Sequence, residues 1–126
     1  MVMVIAEVNK ILMKLNVKEL ILLFLAYHYP VEVKREEIER FVHYYKPSTS
    51  KSAISNKLTE LKEKGLIKRV RRGYYVITVH GLRRVRWYWL TGRIPLPRER
   101  LPLAVDRVRC KVRRKKDDGS YEIIYL

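Results

Sequence analysis

Apolar residues in this chain recur first at helical and then at strand spacing. Val4, Val8, Ile11, Leu12 and Leu15 fall three and four apart, which predicts a helix over 4–15. Asn16 followed by Glu19 has the form of a capping box opening a second helix over 17–28, which Pro30 closes. Its sequence, VKELILLFLAYH, is apolar nearly all round, as expected of a central core helix. After an extended PVEV comes a third helix over about 35–45, with Ile38, Phe41, Val42 and Tyr45 inward. Ser50 is placed as N-cap of a fourth helix over about 51–64, and Gly65 closes it at C′.

Two short β-rich runs, LIKRV and YYVIT, flank RRG and predict an antiparallel hairpin with a basic tip. Thr78 caps a further predicted helix over about 79–90, where Leu82, Val85 and Trp89 recur at helical spacing. The prolines and glycine of TGRIPLPRERLP predict an extended linker over 92–103. AVDRVRCKVRR and YEIIYL then read as strands of a second hairpin around Asp118-Gly119. The expected fold class is mainly α with a β-wing (α+β). Its expected parts are an N-terminal helix (1–16) whose Val4, Val8, Ile11 and Leu15 could supply a dimer contact, a main domain (17–91), a linker (92–103) and a C-terminal hairpin (104–126).

The fourth helix is unusual on its polar side. At about 100° per residue, Ser52, Ser55, Asn56 and Thr59 share one arc, opposite Ile54, Leu58 and Leu61. These four polar residues together cost roughly 1–2 kcal/mol against strong helix formers, which a merely solvated face would use. Their short hydroxyl and amide groups suit the edges of bases in a major groove. Lys51 and Lys57 flank them, suited to phosphates. Lys68, Arg69, Arg71 and Arg72 cluster at the following hairpin. Phosphate or minor-groove contact is favoured for them over protection of a strand edge.

Charge sharpens this. The 126 residues carry 28 Lys and Arg against 13 Asp and Glu, a net +15. Residues 1–33 balance, 34–64 carry eight basic and five acidic, and 65–126 carry seventeen basic and five acidic. Such asymmetry costs stability through self-repulsion and points to a polyanionic partner, nucleic acid before an anionic membrane surface. In the second hairpin Arg107, Arg109, Lys111 and Arg113 alternate with Val108, Cys110 and Val112. That pattern could serve a second nucleic-acid surface, a dimer-building arm, or edge protection.

The order of elements, together with SKSAISNKLTELKEKGLIKR and GYYVITVHG, resembles the winged helix-turn-helix of small bacterial and archaeal repressors of the arsenic-responsive and multiple-antibiotic-resistance types. The likeness spans about residues 17–90. It implies a sequence-specific double-stranded DNA-binding regulator that works as a homodimer, with the fourth helix in the major groove and 67–78 as the wing. The third helix departs from the family: Arg40 stands where a small residue is usual, and the turn KPSTS is longer. An RNA-binding or protein-interaction use of the same fold is the alternative. Absence of Gln and abundance of charge suit a thermophilic source, in keeping with an archaeal or viral regulator.

Other chemistry is sparse. His28, His43 and His80 are isolated, so neither a metal site nor a cofactor is expected. No phosphate loop, carboxylate pair or nucleophile–base motif predicts an enzyme. Trp87 to Leu90, WYWL, reads as core or interface, with base stacking open to any exposed ring. The lone Cys110 builds no disulfide framework. Neither a signal peptide nor an 18-residue apolar run is evident, so a cytoplasmic protein without a membrane span is expected.

Overall fold

In the computed structural model, which describes residues 5–126, the chain is an α+β fold of six helices and two small antiparallel sheets. Helix α2 (Val17–His28) is its axis. Leu20, Ile21, Leu22, Leu23, Leu25 and Ala26 are all buried, covering its whole circumference. The capping box forms: Asn16 N–H donates to Glu19 Oε1 at 2.8 Å and Glu19 N–H to Asn16 Oδ1 at 2.9 Å.

Around α2 pack α1 (Ile5–Met13), α3 (Arg35–Tyr45) and α4 (Lys51–Glu63). In and just after α1, Leu12 and Leu15 are buried and Val8 and Ile11 lean on the same core. That stripe is therefore covered within its own chain only in part; Val4, predicted to extend it, lies outside the described residues. On α3, Ile38 and Val42 are buried, while Phe41 stacks on Phe24 with ring centroids 4.4 Å apart.

The larger sheet runs β1-β3-β2, from β1 (Val33–Lys34), β2 (Ile67–Arg71) and β3 (Tyr74–Ile77). Its register pairs Val33 with Tyr75 and Ile67 with Ile77. Gly73, at φ 81°, makes the tight turn between β2 and β3. Thr78 then caps α5 (Val79–Leu90): its Oγ1 accepts from Gly81 N–H at 3.1 Å and donates to Leu66 O at 3.0 Å.

Beyond α5 the structure corrects two expectations. Residues 92–103 are not an extended linker but a packed return: Ile94, Leu96 and Leu101 are buried, and Trp89 Nε1 donates to Leu96 O at 2.8 Å. Proline density forbids a regular ladder but not burial. Arg93 completes the return with a two-pronged bond to the buried carboxylate of Glu19, one prong at 3.1 Å. The strand predicted from residue 104 begins as a helix instead, α6 (Leu103–Arg107), because Val105 and Val108 stand three apart, which puts them on one side of a helical turn; Val105 is buried there and Val108, at the C-cap, packs partly against the same core.

The second sheet follows as β4 (Lys111–Lys115) and β5 (Tyr121–Tyr125), turning at Gly119 with φ 88°. Buried Arg86 of α5 ties this end down. Its Nη1 donates to Val105 O and Asp106 O, each at 3.2 Å, and its Nε to Leu126 O at 3.0 Å. No helix among the described residues is long and apolar enough to cross a membrane.

Candidate nucleic-acid interface

Local chemistry fixes both ends of α4. Ser50 Oγ accepts from Ala53 N–H at 3.0 Å at the N-cap. At the other end Gly65, at φ 73°, sends its N–H to Lys62 O and Leu66 N–H reaches Leu61 O, both at 3.0 Å. This is a Schellman closure, and β2 begins at Ile67 after only three intervening residues. Ile54, Leu58 and Leu61 are buried, so the opposite side must face outward.

That side carries Ser52, Asn56 and Thr59, all exposed. Ser55, predicted with them, is half-buried, and its Oγ accepts a hydrogen bond from Arg35 Nη2. Arg35 Nε in turn donates to Glu39 Oε1 at 2.9 Å. The structure thus brings together three free polar side chains and a fourth already engaged by α3. Sequence reasoning missed Arg35, which is 20 positions from Ser55 and carries no local signal of that contact.

The flanking lysines separate. Lys51 is exposed and makes no ion pair among the described residues. Lys57 is half-buried and pairs with Glu60 at 3.3 Å; Lys18 and Lys64 reach the same carboxylate at 3.1 and 3.4 Å. Lys57 therefore lies on the flank shared with α2, and a phosphate would have to compete with Glu60 for it. Hydrogen bonding from Lys18, then Lys57 and Lys64, lowers the Glu60 carboxyl from 4.5 to about 2.

A depressed folded pKa gives stability that is complete above the unfolded value of 4.5 and is lost as pH falls through about 2. Glu60→Gln should therefore be less stable than wild type near neutrality, and the two should converge as pH approaches 2. Thermal melts across that range check this; a gap independent of pH would contradict the cluster. The effect should be small, since the groups lie at the surface and water screens their attraction.

On the β2–β3 hairpin Lys68, Arg69 and Arg72 are exposed and have no carboxylate partner among the described residues. Arg71 differs: its Nη2 donates to Glu32 Oε1 at 2.6 Å and its guanidinium lies 3.9 Å from the Tyr74 ring centroid. Three hairpin cations are thus free and one is occupied. Because β2 is an edge strand, some of this charge also discourages strand pairing. Edge protection leaves the free tip residue Arg72, which lies beyond the end of β2, without a role.

At the C-terminal end Arg107, Arg109, Lys111 and Arg113 are all exposed, but only Lys111 and Arg113 share a strand face. Arg107 belongs to α6 and Arg109 to the connection. The alternating apolar residues turn to their own chain: Val108 packs on the core, Val112 is half-buried, and buried Cys110 sends its Sγ to Arg83 O at 3.3 Å. Burial pushes the Cys110 thiol up, which fits packing rather than reactivity. WYWL divides: Trp89 is held inside, whereas Trp87 is 44% exposed.

No protein-family model, curated protein or solved structure matches the chain, so the interface stands on its own geometry.

Proposed function

We propose that the protein is a sequence-specific double-stranded DNA-binding protein of the winged-helix type, acting as a transcriptional regulator by occupying its site. One observation carries this reading. A well-capped helix anchored by Ile54, Leu58 and Leu61 presents exposed Ser52, Asn56 and Thr59, beside a hairpin whose Lys68, Arg69 and Arg72 have no carboxylate partner among the described residues. The α2–β1–α3–α4–β2–β3–α5 order with sheet order β1-β3-β2 supports it.

In this reading α4 enters the major groove, whose width admits a helix. Ser52, Asn56 and Thr59 read base edges, with Asn56 suited to paired contact with adenine. Ser55 keeps its hydroxyl proton for donation while Arg35 holds its oxygen. Lys51, Lys68, Arg69 and Arg72 take phosphates, with an Arg of the tip reaching the neighbouring minor groove. Duplex RNA fits less well, because its deep, narrow major groove does not admit a helix. Two copies on a palindrome would set half-sites about 34 Å apart. The dimer contact would come from the N-terminal helix, where Val8 and Ile11 are only partly buried, or from the C-terminal segment.

Asn56→Ala tests the base-reading role. It should cost about 1–3 kcal/mol on the preferred duplex and almost nothing on a scrambled duplex of the same length. Titration of both duplexes at one salt concentration measures this. Equal losses on both would contradict base reading by Asn56.

A further inference from the structure

A second basic surface lies away from α4 and the β2–β3 hairpin. Between α5 and the start of β4 is an open groove of about 770 Å³. Arg83 and Arg84 line one side, Arg109 and Lys111 the other, and Trp87 and Tyr125 supply aromatic walls. No acidic side chain lines it, and none of these four cations has a carboxylate partner among the described residues.

Lys111 and Tyr125 pair across β4 and β5, and the same face continues along the hairpin. Arg113 pairs with Ile123, and Lys115 with Tyr121. One strand thus carries three cations on this face and the other carries Tyr125, Ile123 and Tyr121, each more than half exposed. The Arg113 guanidinium lies 4.3 Å from the Tyr121 ring centroid. Lys111 and Lys115 are about 13 Å apart along the strand, so the track exceeds one phosphate group.

We propose that this track binds an unpaired nucleic-acid strand, with bases stacked on Trp87, Tyr125 and Tyr121 and phosphates held by the interleaved Arg and Lys. Exposed aromatic rings beside cations that have no carboxylate partner among the described residues are what a single strand uses, and the Arg113 guanidinium on one side of Tyr121 leaves the other side of that ring for a base. A duplex hides its base faces in its own stack and leaves such rings without a role. A second copy of the chain is disfavoured, since this face carries no carboxylate and its cations would meet no opposite charge on an identical face. The site is independent of α4 and stands whether or not that helix reads DNA.

The test uses the full chain and its tryptophan fluorescence. An oligothymidine of about 12 nucleotides should bind and quench emission. An abasic strand with the same number of phosphates should bind at least about tenfold more weakly, because each base stack carries a substantial share of affinity. Trp87→Ala and Tyr125→Ala should each weaken oligothymidine binding about 5- to 100-fold while leaving duplex affinity unchanged. Neutralising Lys68, Arg69 and Arg72 should leave oligothymidine binding nearly intact.

Equal affinity for the abasic strand would overturn the proposal, and that comparison needs no variant to fold. Weakening caused by the hairpin substitutions rather than by Trp87→Ala would also overturn it. So would full competition by a single nucleoside triphosphate, or preferential capture by phosphatidylserine vesicles, each of which would assign the track to a different ligand.

Discussion

Gly81→Ala should lower stability by about 2–4 kcal/mol, a fall in melting temperature on the order of 10 °C for a chain of this size. A methyl group at Gly81 would stand 2.1 Å from Leu66 O and 2.5 Å from a methylene of Ile77. The closer atom is backbone, held by bonds from Thr78 N–H at 3.1 Å and Thr78 Oγ1 at 3.0 Å, so it has little freedom to retreat. Alanine is otherwise the better helix former by about 1 kcal/mol, and the two effects oppose. An approach of 2.1 Å is far inside van der Waals range, so the clash wins. Since Leu66 leads directly into β2, the damage should also disturb the hairpin and weaken duplex binding. An unchanged or raised melting temperature would show that α5 does not sit this closely on the sheet.

Replacing Lys68, Arg69 and Arg72 together by Ala should weaken duplex binding on all sequences alike. The slope of log affinity against log salt should flatten by up to about 2.7, or about 0.9 for each phosphate no longer neutralised. Arg71→Ala should flatten it much less. Its guanidinium is already committed to Glu32 and Tyr74, so removing it loosens the hairpin more than it frees a phosphate. Measured across a salt series, these variants separate phosphate binding from edge protection. A triple variant with an unaltered slope would leave the cations with only the task of keeping β2 from pairing with other strands. Stability should change little, because the three side chains are exposed and have no carboxylate partner among the described residues.

Elements with a strong local signature were legible in the amino-acid sequence. The bounds of α3 and α5 follow from their 3.6-residue apolar repeat, and α2 and α5 also announce themselves through Asn16, Glu19 and Thr78, whose caps all form. Where two periods overlap, the reading failed: Val108 alternates with Cys110 and Val112 as in a strand but also stands three from Val105 as in a helical turn, and Val105 buries on the turn. β1 has only two residues, too few to show alternation.

Long-range partners were invisible for another reason. Arg93 and Glu19 meet across 74 positions, Arg86 reaches Leu126 across 40, and Arg35 meets Ser55 across 20. Nothing in the local sequence marks such pairs. For the candidate site the outcome was similar. Helical phase placed Ser52, Asn56 and Thr59 outward, but could not foresee that Ser55, Lys57 and Arg71 would find partners within the chain.

The claim that α4 reads duplex DNA is tested most directly by selection of bound sequences from a random double-stranded DNA pool, using wild-type protein and the Asn56→Ala variant in parallel. The account predicts enrichment of a defined motif by wild type, with preference lost at one or a few adjacent base pairs in Asn56→Ala. If two copies bind, the motif should be a palindrome with half-sites about one helical turn apart. A pool that binds and yet shows no enrichment, or the same motif from both proteins, would contradict it.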